Sequence, residues 1–193
     1  PVAGGRQGML ELPPRMSVLV RDLQSPLAMD RSGVTYFSLM VRETAPPLAD
    51  TRYEAMRLTL RSSKDYFGPS LSFGYSASSH PHIQLGQGIG FISPALAPRG
   101  QSSLWIGKIV SRAEGEDEIY FRIYGEDESL EYAEPPTWHV ATRAVAQSSQ
   151  FDRVLLTSNG PAGRIVDECH DHLAPVRTRS HQTNLYPINA LNG

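Results

Sequence analysis

Apolar and polar side chains alternate one by one along several short stretches of this chain, and that alternation decides the fold class. In Ala55-Met56-Arg57-Leu58-Thr59-Leu60-Arg61, Met56, Leu58 and Leu60 fall on one side and Arg57, Thr59 and Arg61 on the other. Leu71-Ser72-Phe73-Gly74-Tyr75 repeats the pattern with Leu71, Phe73 and Tyr75. Glu118-Ile119-Tyr120-Phe121-Arg122-Ile123-Tyr124 turns Ile119, Phe121 and Ile123 inward. A period of two is that of a half-buried strand. Further strands are expected over 34–42 (with Phe37, Leu39 and Val41 toward the core), 104–112 and 151–158. Weaker candidates are 16–21 and 164–168, and a long loop over 78–98 holds one short strand near 89–92.

Turn residues punctuate these runs: Arg31-Ser32-Gly33, Ala45-Pro46-Pro47, Ala113-Glu114-Gly115, Gly125-Glu126-Asp127 and Glu134-Pro135-Pro136. Gly supplies positive φ, and Pro fixes φ and removes a donor. No segment carries a sustained stripe of about 3.6-residue period, so helices are not expected between the strands. Strands without crossover helices give an all-β, antiparallel two-sheet β-sandwich or jelly roll.

The 193 residues fit one domain, since domains typically hold roughly 100–200. Net charge is −2, and the dense charge cluster at 114–134 is acidic; no basic footprint for nucleic acid exists. One cysteine, Cys169, excludes an internal disulfide. No apolar run reaches the roughly 20 residues a spanning helix needs, so no membrane span is expected.

Five blocks occur in a telling order: Gly33-Val34-Thr35-Tyr36-Phe37-Ser38-Leu39-Met40-Val41-Arg42, Leu71-Ser72-Phe73-Gly74, Leu104-Trp105-Ile106-Gly107-Lys108-Ile109, Asp117-Glu118-Ile119-Tyr120-Phe121 and Ile165-Val166-Asp167-Glu168. In this the chain resembles the laminin-G-like, concanavalin A-like jelly-roll modules of bacterial, planctomycete-type envelope and exported proteins. The resemblance covers 16–168. It implies one concanavalin A-like sandwich domain over 1–168, an irregular polar C-terminal tail over 169–193, an extracellular or envelope location, and other domains of a parent protein as partners. It also implies a structural calcium ion with Asp167 as a ligand. One departure is visible: such modules follow the Asp-Glu pair with a short apolar strand, whereas here Cys169-His170-Asp171-His172 follows.

The residues offer several chemistries. With Ile119, Phe121 and Ile123 in the core, Tyr120, Arg122 and Tyr124 share the opposite face of their strand, where aromatic rings stack on sugars and a cation bonds hydroxyls. Trp105 and Trp138 extend this platform if they are not core. The expected function is therefore a non-catalytic recognition or adhesion module for a polysaccharide or glycan. One alternative is a glycoside hydrolase or lyase using Glu114, Glu116 and Glu118, which alternate as a retaining carboxylate pair would. It requires these acids in a cleft, with one pKa raised. Another is a structural or protein-binding module with an apolar outward patch or a usable edge strand. Glu114, Glu116, Asp117, Glu126, Asp127 and Glu128 supply oxygen ligands for calcium, without EF-hand spacing. His80-Pro81-His82 and His170-Asp171-His172 are metal-compatible in type, but Pro81 points to a loop and the spacing is short of a zinc set.

Overall fold

A computed structural model of the chain describes residues 8–12, 17–43, 55–65, 68–75, 79–86, 89–130, 134–144, 150–159, 163–167 and 184–185, with the backbone alone at 8–12, 17, 43, 55, 89, 159, 163–167 and 184–185. Every element among the described residues is a strand: β1 Gly8–Leu12, β2 Ser17–Ala28, β3 Gly33–Glu43, β4 Ala55–Arg61, β5 Ser70–Tyr75, β6 Pro81–Leu85, β7 Ile89–Ile92, β8 Ser102–Ser111, β9 Asp117–Tyr124, β10 Val140–Ala144, β11 Gln150–Asn159, β12 Gly163–Asp167 and β13 Asn184–Leu185. They form two sheets. A seven-stranded sheet runs β1-β12-β3-β8-β9-β10, with β13 also on β3, and a six-stranded sheet runs β2-β11-β4-β5-β6-β7. The two-sheet, all-β sandwich read from the alternation is the fold. Each pairing is antiparallel save that of β13, which lies parallel to Thr35 and Tyr36.

The alternation does what strand geometry requires, because successive side chains leave opposite faces. Along β8 the partly exposed and buried positions alternate strictly. Its inner side carries Trp105 and Ile109, both fully buried, and its outer side carries Leu104, Ile106, Lys108 and Val110. Phe37, Leu39 and Val41 from β3 and Ile119, Phe121 and Ile123 from β9 complete that inner face. Met56, Leu58, Leu60, Leu71, Phe73, Ile83, Val154 and Leu156 meet them from the other sheet. The sheets are joined through aromatic contacts. Phe37 and Phe73 lie edge to face with centroids 4.6 Å apart, Phe73 and Phe121 5.6 Å apart, and Tyr75 and Trp105 5.8 Å apart. Trp105 is therefore core, its indole N–H satisfied by Ser103 Oγ at 3.1 Å.

Two expectations need correction. The stretch 78–98 holds two strands, not one, because Pro81 opens β6 and pairs with Tyr75. A proline at the first strand residue costs little, so the His80-Pro81-His82 run is not simply a loop. The weak candidate at 16–21 is the start of a twelve-residue strand, β2.

Candidate functional site

Strand register builds the outer face of the seven-stranded sheet. Tyr36 of β3 lies opposite Lys108 of β8, Lys108 opposite Tyr120 of β9, and Tyr120 opposite Ala141 of β10. The next row is Ser38, Ile106 and Arg122, and the one after is Met40, Leu104 and Tyr124. The Lys108 ammonium sits between two rings, 5.6 Å from the centroid of Tyr36 and 5.5 Å from that of Tyr120. Contacts at this range are cation–π attractions.

The chain after β9 doubles back across this face before β10 begins. Glu128 starts the crossing: one carboxylate oxygen accepts from Gly125 N–H at 2.8 Å and the other from Arg122 Nη2 at 2.9 Å. Glu134 continues it, accepting from Lys108 Nζ at 2.6 Å and from the Tyr36 hydroxyl. Thr137 accepts Arg122 Nη1 at its carbonyl, 2.8 Å away, and at its hydroxyl. Trp138 then packs on Tyr120, with centroids 5.4 Å apart. His139 ends the crossing, its Nδ1 accepting from Ile123 N–H at 3.1 Å.

This places the three expected ligand residues differently from one another. Tyr120 is half-buried beside Trp138, and its hydroxyl donates to Glu118 at 2.7 Å. Tyr124 is only 3% exposed, with the Arg122 guanidinium 4.3 Å above its ring. Arg122 is held by Glu128 and Thr137. Arg122 and Tyr124 thus hold the crossing segment, while Tyr120 and Trp138 form its partly open aromatic edge. Tyr36, Lys108 and Glu134 join them. The first two were readable as outward positions on alternating strands; Glu134 lies in an aperiodic stretch and carries no such signal.

The electrostatics follow from these contacts. Burial raises the Tyr36 phenol pKa, and the Glu134 carboxylate raises it further. At Glu134 burial opposes ionisation, but the bonds from Lys108 and Tyr36 outweigh it and keep the carboxyl below the usual range. Burial, then the Arg122 charge, holds His139 below the ordinary histidine range, which keeps Nδ1 able to accept.

The acids proposed for glycosidase chemistry are not gathered in a cleft. Glu114 and Glu116 are exposed in the turn between β8 and β9, where Gly115 takes φ +93°. Glu118 is held low by the Tyr120 hydroxyl and by Arg112, the reverse of the raised pKa that a general acid needs. Glu114, Glu116 and Glu118 therefore do not form the carboxylate pair that the hydrolase alternative assigned to them. Nor do the acids form a calcium shell. Asp117 accepts Arg112 N–H at 2.8 Å, Glu126 accepts Ser102 N–H at 2.8 Å, and Glu128 is taken by Arg122. Among the described residues no three His, Cys, Asp or Glu side chains group as metal ligands. Asp167 ends β12 opposite Gly8, and its side chain lies outside the described residues, as do Cys169, His170 and His172. His80 Nδ1 contacts the Ala95 carbonyl at 3.0 Å. No helix among the described residues is long and apolar enough to cross a membrane.

No protein-family model matches the chain, and no curated protein matches it in sequence. Solved structures that match in shape include Scytalido-glutamic peptidase with a peptide-based transition state analog, at TM-score 0.40 and 7% identity over 81% of this chain and 71% of that one. Another is SCP-B, a member of the Eqolisin family of peptidases, in a complex with a tripeptide, at TM-score 0.39 and 4% identity over 76% of this chain and 63% of that one. A third is the Ruminococcus gnavus IT-sialidase CBM40 bound to alpha2,6 sialyllactose, at TM-score 0.29 and 7% identity over 76% of this chain and 90% of that one. At such scores and identities none of the three bears on what this chain does.

Proposed function

We propose that this chain is a non-catalytic recognition module of the concanavalin A-like, laminin-G-like jelly-roll type, carried by a larger envelope or exported protein, and that it binds a glycan on the outer face of its seven-stranded sheet. One observation supports this most. The half-buried Tyr120–Trp138 pair lies beside Lys108 and Glu134, so an apolar ring surface adjoins a charged donor and a charged acceptor. A sugar presents the matching combination, a C–H face that stacks on an aromatic ring and hydroxyls that both donate and accept. Arg122 and Tyr124 act as a brace under this edge. The role of Asp167 as a calcium ligand belongs to the same proposal and predicts calcium-dependent binding.

Glycan-array binding of the folded protein, with and without calcium, tests the reading. Signal on a defined glycan class, lost in Trp138→Ala and in Tyr120→Ala with the fold retained, is the expected result. Silence in both conditions would remove it.

A second reading rests on a separate observation. β2 is an edge strand with Val18 51% and Val20 45% exposed, which suits strand addition by a partner chain. Protection of β2 amides in a complex, rather than of β9, would favour this reading.

A further inference from the structure

The aromatic edge of the seven-stranded sheet is fastened by a histidine that can hold it in one charge state and not in the other. β10 begins at Val140, which is 5% exposed and lies opposite Phe121 of β9. Beyond that pair β9 runs on through Arg122, Ile123 and Tyr124. Ile123 is fully buried and paired with Trp105 of β8 on its other side. Its N–H donates to His139 Nδ1 at 3.1 Å. A side-chain nitrogen thus stands in for the backbone acceptor that would have extended the ladder. The residue before His139 is Trp138, whose ring packs on Tyr120. His139 therefore joins a residue fixed in the core, Val140, to the outer member of the aromatic pair.

The bond dictates where the imidazole proton lies. An amide N–H only donates, so Nδ1 must accept, which requires a neutral ring with its proton on Nε2. A second proton would place an N–H on Nδ1, facing the Ile123 N–H. Two donors then point at each other and the bond is lost. Ile123 is held by the core and by β8, so the imidazolium is the group that moves. Among the described residues, the charged groups that act on the ring are Arg122 of β9 and Glu128 of the crossing segment. Burial opposes the charged form most, the Arg122 guanidinium opposes it next, and the Glu128 carboxylate offsets part of this. Arg122 cannot withdraw, because Glu128 and Thr137 hold its guanidinium.

We propose that His139 is a pH-operated latch on this face: neutral, it holds Trp138 against Tyr120, and protonated, it releases the Ile123 N–H and draws Trp138 off the ring. Glu128, Glu134 and Thr137 keep their bonds to Arg122 and Lys108, so the change is local to 138–139. The released state binds one proton more than the closed one. Its share grows as the pH falls below the ordinary histidine value of 6.5, by at most about ten-fold per pH unit, until the lowered pKa of the closed state is reached. An effect on glycan affinity rests on the reading above, which takes the Tyr120–Trp138 pair as the stacking surface.

Nuclear magnetic resonance of the folded chain, titrated from about pH 8 to about pH 5, covers the range in which a histidine changes charge. The Ile123 amide, the Trp138 indole N–H and the His139 ring should move together, with one midpoint below 6.5. His139→Asn keeps an oxygen acceptor near the place of Nδ1 and takes up no proton in this range, so the amide and the indole should stay still in it. If that variant does not fold, the wild-type titration decides. His82→Gln removes the other histidine with a lowered pKa, and the movement should persist there. An amide and an indole that stay still while the His139 ring titrates overturn the proposal. So does an equal movement in folded His139→Asn, or a movement lost in His82→Gln. A glycan found on the array should bind several-fold more weakly at about pH 5 than at about pH 7, and equally at both in His139→Asn. Silence of the array removes the glycan reading and not the latch; still resonances remove the latch and not the glycan reading.

Discussion

The ring of Phe37 occupies the space that a side chain on Gly107 would need: a Cβ at residue 107 would approach it to 1.9 Å. The two are cross-strand partners in β3 and β8. Glycine weakens a strand interior in general, yet here it lets Phe37 lie flat enough to meet Phe73 of the opposite sheet. Gly107→Ala should therefore lose about 1–3 kcal/mol through overpacking. Urea unfolding measures this, and Phe37→Leu in the same chain should restore part of it, because contacting residues are coupled. Additive losses in the double variant would show that the contact does not set the cost.

Glu134 joins the crossing segment to the sheet through Lys108 and Tyr36. Its side chain is 48% exposed, so the pair is screened and Glu134→Gln should cost about 1 kcal/mol or less. A phenol titration followed by ultraviolet difference is the more sensitive readout. The Tyr36 pKa should fall in the variant but stay above the ordinary tyrosine range, because burial is its larger cause. A return to the ordinary range would mean that the segment had lifted off the ring.

The inward faces of β3, β4, β8 and β9 were legible in the sequence because their outward positions are mostly more exposed than their inward ones, and that of β5 because small Ser72 and Gly74 alternate with Leu71, Phe73 and Tyr75 although both its faces are covered. β6 was not, since Pro81, His82 and Ile83 are buried in succession and a strand covered on both faces shows no alternation. β10 has one buried apolar residue, Val140, and nothing to mark it. Pro26 hid the full length of β2. The pairing with β11 breaks opposite residues 23–26, so the missing N–H falls where no ladder bond is made. The outward grouping of Tyr120, Arg122 and Tyr124 could be read the same way. Their covering by Glu128, Glu134 and Thr137 could not, because contacts made by an aperiodic segment depend on the folded path and leave no local pattern.

Arg122 is the main tie between that segment and β9. Arg122→Met keeps an aliphatic stem and removes the guanidinium over Tyr124 with its bonds to Glu128 and Thr137. The loss should be about 1.5–3 kcal/mol, the range for hydrogen bonds to a charged group. Faster amide exchange at Ile123, whose N–H is bound by His139, and a shift of Trp138 fluorescence should accompany it. Unchanged exchange would place the hold on the segment in the Trp138–Tyr120 stack instead.

His82 should make the fold acid-sensitive in a defined window. Burial first, and the Arg57 charge second, lower its pKa from 6.5 to about 4, opposed by the His80 backbone. The folded state therefore binds fewer protons than the unfolded state between these two values. Stability is full above pH 6.5 and falls as the pH drops toward 4, by about 3 kcal/mol in all. His139 is shifted in the same direction and adds to the slope. The lowered carboxyls Glu118, Glu126, Glu134 and Asp152 act in a lower window. Their ordinary values are 4.5 and 3.8, so most of their share is lost as the pH passes below those values. The slope of unfolding free energy between pH 6.5 and 4.5 thus isolates the histidines. His82→Gln should flatten it. A slope unchanged in His82→Gln would mean that this imidazole is solvated in the folded protein.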